Sequence, residues 1–298
     1  MISGNVPGHL VAGARAGFLQ AVREIQPMWQ RIAMVHNMDG KTTDLVDLGA
    51  APMPVDSKTG VTVQDFIEKR LTVEPRDWNI TVWLSHNALK DDRIGDLERR
   101  VRGAGANFNK HINKLVFQAL NAGDTSTYGL CYDGQNFFSS SHVDKGAAYQ
   151  TAQSNVNALP LTLDNFETVY IAASTRLDDQ GEYTGFIPNL LVVPPALKRT
   201  AAQIADNPEA YDTANRERNP WAGEVEYIVA PWLDSTAWVL VAANENVKPI
   251  ILVMREQPNL QATWFDPEAP DGGRYYFKFY ARYYVAYGDW RLATMGNT

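Results

Sequence analysis

The sequence predicts an α+β fold, and three observations predict it. One long helical pattern stands in the first half of the chain, shorter helices follow it, and apolar strands crowd the last quarter without alternating with helices. Such segregation departs from the repeating strand–helix–strand order of a parallel sheet. At 298 residues the chain is long enough to bury about three-quarters of its unfolded surface, so a sizeable core is expected.

Taken in order, residues 14–33 place Phe18, Val22, Ile25 and Trp29 at helical spacing, and Pro27 should end or kink that helix. Residues 40–60 are rich in turn formers, with Gly49, Pro52, Pro54 and Gly60. Extended runs flank them at 42–48 and 66–84, where Leu71, Val73, Trp78, Ile80, Val82 and Trp83 favour strand and Pro75 breaks the middle. The pattern predicts a long hairpin with a mobile tip, whose few apolar residues cannot hold it against its own chain.

The clearest helix covers residues 94–120. Asp91 and Asp92 supply a negative N-terminus, and Ile94, Leu97, Val101, Ala104, Phe108, Ile112, Leu115 and Ala119 recur at steps of three and four. It would run about 40 Å at 1.5 Å per residue and must be central to the architecture. Gly103 and Gly105 each cost roughly 1 kcal/mol against Ala, which predicts close packing or a bend. Residues 128–144 read as a loop anchored by Tyr132, Phe137 and Phe138, and residues 146–160 as a surface connector.

A second helix should start near Thr162 or Asp164, burying Phe166, Val169, Tyr170, Ala173 and Leu177. A buried strand at 189–193 leads through Pro194 and Pro195 into a helix carrying Leu197, Ala201 and Ile204. Residues 207–223 read as an exposed loop. Strands follow at 225–229, 237–242 and 249–254, and the strongest one spans 274–287. There Tyr275, Phe277, Phe279, Tyr283 and Val285 take one face, while Lys278 and Arg282 take the other.

Composition excludes several classes. No run approaches the roughly 18 apolar residues of a membrane span, and the first residues lack the apolar core of a secretory signal. A single cysteine, Cys131, forbids an intrachain disulfide and a cysteine-based zinc finger. A net charge of −7 argues against a chain whose bulk binds nucleic acid, and the abundance of Trp, Tyr and Phe argues against disorder. A soluble, folded protein made inside the cell is expected.

The enzyme signals fail one by one. Gly40-Lys41-Thr42 imitates a phosphate-binding loop, but Val35 stands where that motif needs Gly. Gly103 and Gly105 imitate a dinucleotide fingerprint, but Phe108 takes the third Gly position and all three lie inside a helix. HExxH and GxSxG are absent from the sequence. Cys131 with His142 could pair as nucleophile and base, against the blander reading of Cys131 as a small buried apolar residue. Asp133, His142 and Asp144 could ligate a metal, against the reading that they make turns among Gly and Ser. His9, His36, His86, His111 and His142 are scattered without ligand spacing. No catalytic, cofactor or metal site is therefore assigned, and no cofactor is expected. The long helix region carries seven basic residues (Lys90, Arg93, Arg99, Arg100, Arg102, Lys110 and Lys114) against four acidic ones (Asp91, Asp92, Asp96 and Glu98). That is either a nucleic-acid surface or a solvated face with internal ion pairs.

Three stretches together resemble the major head subunit of Mu-like phages and prophages, the gpT family of major capsid proteins. The first runs from Asp91-Asp92-Arg93-Ile94-Gly95 through the helix to Asn113-Lys114-Leu115-Val116-Phe117 and Gly123. The second is Cys131-Tyr132-Asp133-Gly134-Gln135-Asn136-Phe137-Phe138 with His142. The third joins Trp232-Leu233-Asp234, Ala237-Trp238 and Lys248-Pro249-Ile250-Ile251 to the ending Ala281-Arg282-Tyr283 and Tyr287-Gly288-Asp289-Trp290-Arg291-Leu292-Ala293. Together they span roughly residues 90 to 293, although Asp289 stands where the family more often has an aromatic residue and residues 40–60 match poorly.

The resemblance implies the tailed-phage major capsid fold (Hong Kong ninety-seven-like). Residues 1–40 would be an N-terminal arm and 41–87 an extended loop lying over a neighbouring subunit. Residues 88–187 would form a peripheral domain with the spine helix at 94–120, 188–243 an axial domain, and 244–298 the strands completing the peripheral sheet. It further implies a non-enzymatic shell protein of the virion, assembled in the bacterial cytoplasm from pentamers and hexamers of itself around double-stranded DNA. The DNA would be touched only weakly, and the partners would be a portal and separate scaffold, protease or decoration proteins, with no membrane involved. The alternatives are an encapsulin-like compartment shell and a soluble hydrolase using Cys131.

Overall fold

A computed structural model describes residues 6–24, 27–40, 42–47, 69–91, 94–143, 149–208, 218–270 and 272–297. Two sheets organise the chain. The first has four strands in the order β1-β9-β10-β4: β1 (Ala33–Asn37), β4 (Arg76–Ser85), β9 (Ile250–Asp266) and β10 (Arg274–Tyr287). β1 runs parallel to β9, while β10 pairs antiparallel with both β9 and β4. The second sheet has the order β5-β11-β8-β6-β7: β5 (Val156–Asn157), β6 (Leu190–Val193), β7 (Glu226–Val229), β8 (Trp238–Val241) and β11 (Ala293–Gly296). A separate hairpin joins β2 (Thr43–Asp47) to β3 (Lys69–Val73).

One face of the first sheet is covered by helices α1 (Gly8–Glu24) and α3 (Ile94–Asn121). β10 alternates as a half-buried strand must: Tyr275, Phe277, Phe279, Ala281, Tyr283 and Val285 are buried, and the residues between them are partly exposed. Phe18 sits between the layers, stacked on Phe279 at 4.1 Å and edge-on to Phe108 at 5.7 Å. Helix α3 is as long as its periodicity predicts, with Leu97, Val101, Ala104, Phe108, Ile112, Leu115 and Ala119 buried. The two glycines in its middle differ. A Cβ on Gly105 would come within 2.8 Å of the Phe18 carbonyl oxygen and 3.0 Å of the Ala21 Cβ, so Gly105 is what lets α1 approach; Gly103 faces open space.

The second sheet packs α4 (Leu163–Ser174) and α5 (Lys198–Ala205) over Leu191, Val193, Trp238 and Leu240. Thr162 caps α4 by accepting from the Asn165 N–H at 3.2 Å. A short α2 (His86–Lys90) follows β4, capped by Ser85.

Several expectations need correction. Helix α1 (Gly8–Glu24) starts earlier than the predicted run, while Pro27 interrupts it as expected and introduces a separate 3-10 turn, Met28–Arg31. The strand β1 that follows was invisible to periodicity, because five residues are too few to separate strand from helix. The run 66–84 is not one arm of a hairpin. It breaks at Glu74-Pro75, so that β3 pairs with β2 while β4 joins the first sheet; the predicted tip falls outside the described residues. β9 continues twelve residues beyond the apolar run, past Pro258, opposite a stretch of β10 where the register shifts. Of the C-terminal strands expected to complete one sheet, β9 and β10 do so, whereas β11 crosses to the other. The connector at 146–160 is not all surface, since Asn155 is fully buried.

The contrast at the α1–α3 contact predicts opposite responses to one methyl group. Gly105→Ala should destabilise the fold by about 1–3 kcal/mol through overpacking, whereas Gly103→Ala should stabilise it by up to about 1 kcal/mol through helix propensity. Denaturant midpoints of the two variants, taken side by side, check this.

Candidate functional site

The residues singled out for chemistry converge on one buried polar cluster. The loop after α3 folds on itself: Cys131 N–H donates to the Gln135 carbonyl at 2.8 Å, and Asp133 Oδ1 accepts from the Gln135 N–H at 3.0 Å. This Asx turn aims the other oxygen of Asp133, Oδ2, at His142 Nδ1, 2.6 Å away, with both side chains fully buried. His142 Nε2 lies 3.2 Å from Oδ1 of Asn155. Asn155 Oδ1 also accepts from the Ser139 N–H, and its Nδ2 donates to the carbonyls of Phe137 (2.7 Å) and Trp290 (3.3 Å).

Trp290 is the centre of this cluster. The His142 ring lies parallel to it at 4.1 Å, and the guanidinium carbons of Arg291 and Arg176 stand 5.3 and 5.7 Å from it. Arg176 is buried, and it donates to the carbonyls of Arg291 (2.7 Å) and Ala293 (3.2 Å) and to Thr294 Oγ1 (2.5 Å). Burial lowers its pKa to about 10, opposed by the nearby Asp289 carboxylate and reinforced by Arg291.

This arrangement ties together chain segments that are far apart in sequence. The Asp133–His142 pair has the reach of an acid–base dyad, but its free nitrogen faces an amide oxygen and the ring has no exposed surface. The Cys131 thiol is pushed well above its ordinary range by burial first, then by the Asp133 and Asp289 carboxylates, which keeps it from being a ready nucleophile. Asp144 lies outside the described residues. Among the described residues no group of three His, Cys, Asp or Glu is placed to hold a metal ion. His86 and His111 act elsewhere, each with Nδ1 against a tyrosine hydroxyl, Tyr275 at 3.1 Å and Tyr283 at 2.9 Å. Asn155 and Arg176 were missed by sequence reasoning; neither sits in a pattern that marks it. Trp290 and Arg291 carried a signal only through the family-like ending.

Two surface features complete the picture. A largely apolar cavity of about 400 Å³ opens between the β2–β3 hairpin and the β1 side of the first sheet, lined by Met34, Leu45, Leu71, Tyr183, Phe186 and Val247. The outward side of α3 exposes Arg99, Arg102, Lys110 and Lys114. Arg100 is committed elsewhere: it donates to the Trp83 carbonyl at 3.0 Å and stands 5.0 Å from the Trp83 ring, which Arg274 also covers at 4.2 Å.

Comparison with known proteins decides the family. A family model described as the Mu-like prophage major head subunit gpT matches residues 8–162 and 149–233. The chain belongs to that family. A curated relative, the major capsid protein of Escherichia phage Mu, is 26% identical over 164 residues, covering 52% of this chain and 53% of that protein. The chain thus spans about half the length of the curated relative it matches. Among solved structures, the bacteriophage JBD30 procapsid aligns over 98% of this gpT-family chain and 76% of its own, with TM-score 0.57 and 19% identity. The encapsulin of the holo-SrpI complex from Synechococcus elongatus PCC 7942 aligns over 92% and 88%, with TM-score 0.52 and 12% identity. At such identities the likeness establishes the fold, and the fold is the tailed-phage capsid fold that the family resemblance implied.

Two outcomes follow from the gpT-family cluster and its neighbouring histidine. His142→Ala leaves the Asp133 carboxylate buried without its partner and should cost about 3–5 kcal/mol, read as a fall in the unfolding midpoint. The pKa of His111 is lowered from 6.5 by burial and by Lys114. The unfolded chain therefore binds this proton more readily, and stability should fall as pH drops below about 6.5. Thermal unfolding from pH 7 to pH 5 should show less of this loss in His111→Gln than in the parent chain.

Proposed function

We propose that this chain is a major capsid protein that assembles with copies of itself, as pentamers and hexamers, into an icosahedral head enclosing double-stranded DNA. The observation that carries this reading is family membership over residues 8–233 combined with the capsid fold over nearly the whole chain. The physical logic supports it. A subunit used in rings of five and of six needs a rigid body and contacts that tolerate small changes of angle, and many weak contacts multiply through effective concentration. The buried cluster around Trp290 supplies rigidity between the two sheets, while the apolar cavity beside the hairpin lies where a neighbour can add surface.

In this reading residues 1–40 form the arm, 41–87 the extended loop with β4 tied into the peripheral sheet, 88–187 and 244–298 the peripheral domain with β11 lent to the axial sheet, and 188–243 the axial domain. The protein is not an enzyme, works in the virion after assembly in the bacterial cytoplasm, and meets a portal and separate scaffold, protease or decoration proteins. A second reading, an encapsulin-like compartment shell, draws on the similarity to the Synechococcus encapsulin. Neighbouring genes separate the two, head protease and portal against a cargo enzyme.

Purified full-length protein viewed by negative-stain electron microscopy should show closed shells; a monodisperse monomer at every salt and protein concentration would overturn the proposal. Cys131→Ala should form shells as readily as the parent, and failure to do so with the fold intact would reopen a chemical role for the thiol.

A further inference from the structure

Charge is unevenly distributed over this molecule. Helices α1 and α3 together carry seven basic and three acidic side chains, a net of +4, in a chain of net −7; everything outside them is at −11. Both helices cover the same face of the first sheet, so their outward sides form one surface. On it Arg15, Arg23, Arg99, Arg102, Lys110 and Lys114 are exposed. Of the three acidic residues there, Asp96 lies 3.7 Å from Arg99, Glu24 accepts a hydrogen bond from Gln20, and Glu98 is exposed. The α3 stripe from Arg99 to Lys114 spans about 22 Å at 1.5 Å per residue.

The kind of partner follows from what this surface lacks. None of the large apolar side chains that stand exposed among the described residues, Val35, Leu130, Ile171, Tyr183, Ile187 and Val247, belongs to α1 or α3. A protein partner would be expected to find apolar anchors at the centre of its contact. The exposed positions of the stripe also carry no aromatic ring on which unpaired bases could stack. Cations without anchors or stacking platforms suit a phosphate backbone bound without regard to sequence. The opposite face of the sheet differs: Arg282 pairs with Asp77 at 2.6 Å, and Arg274 and Lys278 lie against the rings of Trp83 and Tyr280.

We infer that the outward surface of α1 and α3 is the face that meets duplex DNA, through phosphate contacts made by Arg15, Arg23, Arg99, Arg102, Lys110 and Lys114. This rests on the shell reading above and names which face turns inward. Arg100, held by Trp83, takes no part.

The test is the salt dependence of binding of the full-length chain to a fluorescent 30-base-pair duplex. Removing three cations in Arg102→Gln/Lys110→Gln/Lys114→Gln should lower the slope of log affinity against log salt by about 2.7. Equivalently, the affinity lost between 50 and 200 mM salt should shrink about 40-fold. Arg274→Gln/Lys278→Gln, on the opposite sheet face, should leave the slope unchanged. The inference is overturned if the parent chain does not bind the duplex at low salt, if the triple variant keeps the parental slope, or if the opposite-face variant loses as much. Equal binding to polyglutamate, abolished by the same three substitutions, would also overturn it, because the face would then be reading any acidic chain. Negative-stain images of parent and variant keep the two proposals apart. A parent that never forms shells ends the shell reading while the slopes still judge the face. A variant that loses shells but keeps its slope makes the face a subunit contact and ends this inference.

Discussion

Trp290 sits where the two sheets of the molecule meet, inside the apolar core they share. The chain leaves the first sheet at Tyr287, turns through Trp290 and enters the second sheet at Ala293. That short crossing would be a hinge if nothing held it. It is held by an imidazole stacked on the indole, by guanidinium groups near the ring, and by Arg176 donating to the carbonyls of Arg291 and Ala293. Burying Arg176 is costly, as its lowered pKa records, and the cost is offset only while those acceptors stay in place. A cluster of this kind has one good arrangement and many poor ones, so it rigidifies the junction.

In the proposed shell, rigidity there has a purpose. One apolar core runs from the sheet under α1 and α3 to the inner face of the second sheet at Leu190, Val192, Val239 and Val241. Helices α4 and α5 cover that sheet's other face with a core of their own, and β11 is the strand by which the C-terminus enters the second sheet. Fixing the relation of the two sheets lets the variable geometry of a shell be taken up at the outer contacts. The apolar cavity beside the β2–β3 hairpin and the basic helical surface lie on different parts of the body, so contacts of different chemistry need not compete.

The legible parts of the fold were the local ones. Helix α3, the alternation of β10, the Thr162 cap and the Pro-led entry to α5 follow from periodicity and capping chemistry confined to a few turns of chain. The break at Pro75 was visible, but its consequence was not, because whether β4 pairs with β3 or with β10 is decided by a partner two hundred residues away. Likewise the polar half of β9 reads as loop until β10 lies beside it. The candidate site was half legible. Cys131, Asp133 and His142 drew attention by residue type, and Asp133 does make a turn, yet its bond to His142 depends on the fold. Asn155 looked like part of a polar connector because nothing in its neighbours signals burial.

By itself, the sequence determined the α+β class, the helices and most strands, and a family likeness strong enough to name the fold, since these rest on spacing and residue type along contiguous chain. Only the tertiary structure decided which of the two glycines in the middle of α3 is needed, which arginine is tied to Trp83, and that Trp290 lies in a core shared by both sheets. Those outcomes depend on contacts between segments far apart in sequence, where a side chain's environment is set by neighbours that no local pattern can identify.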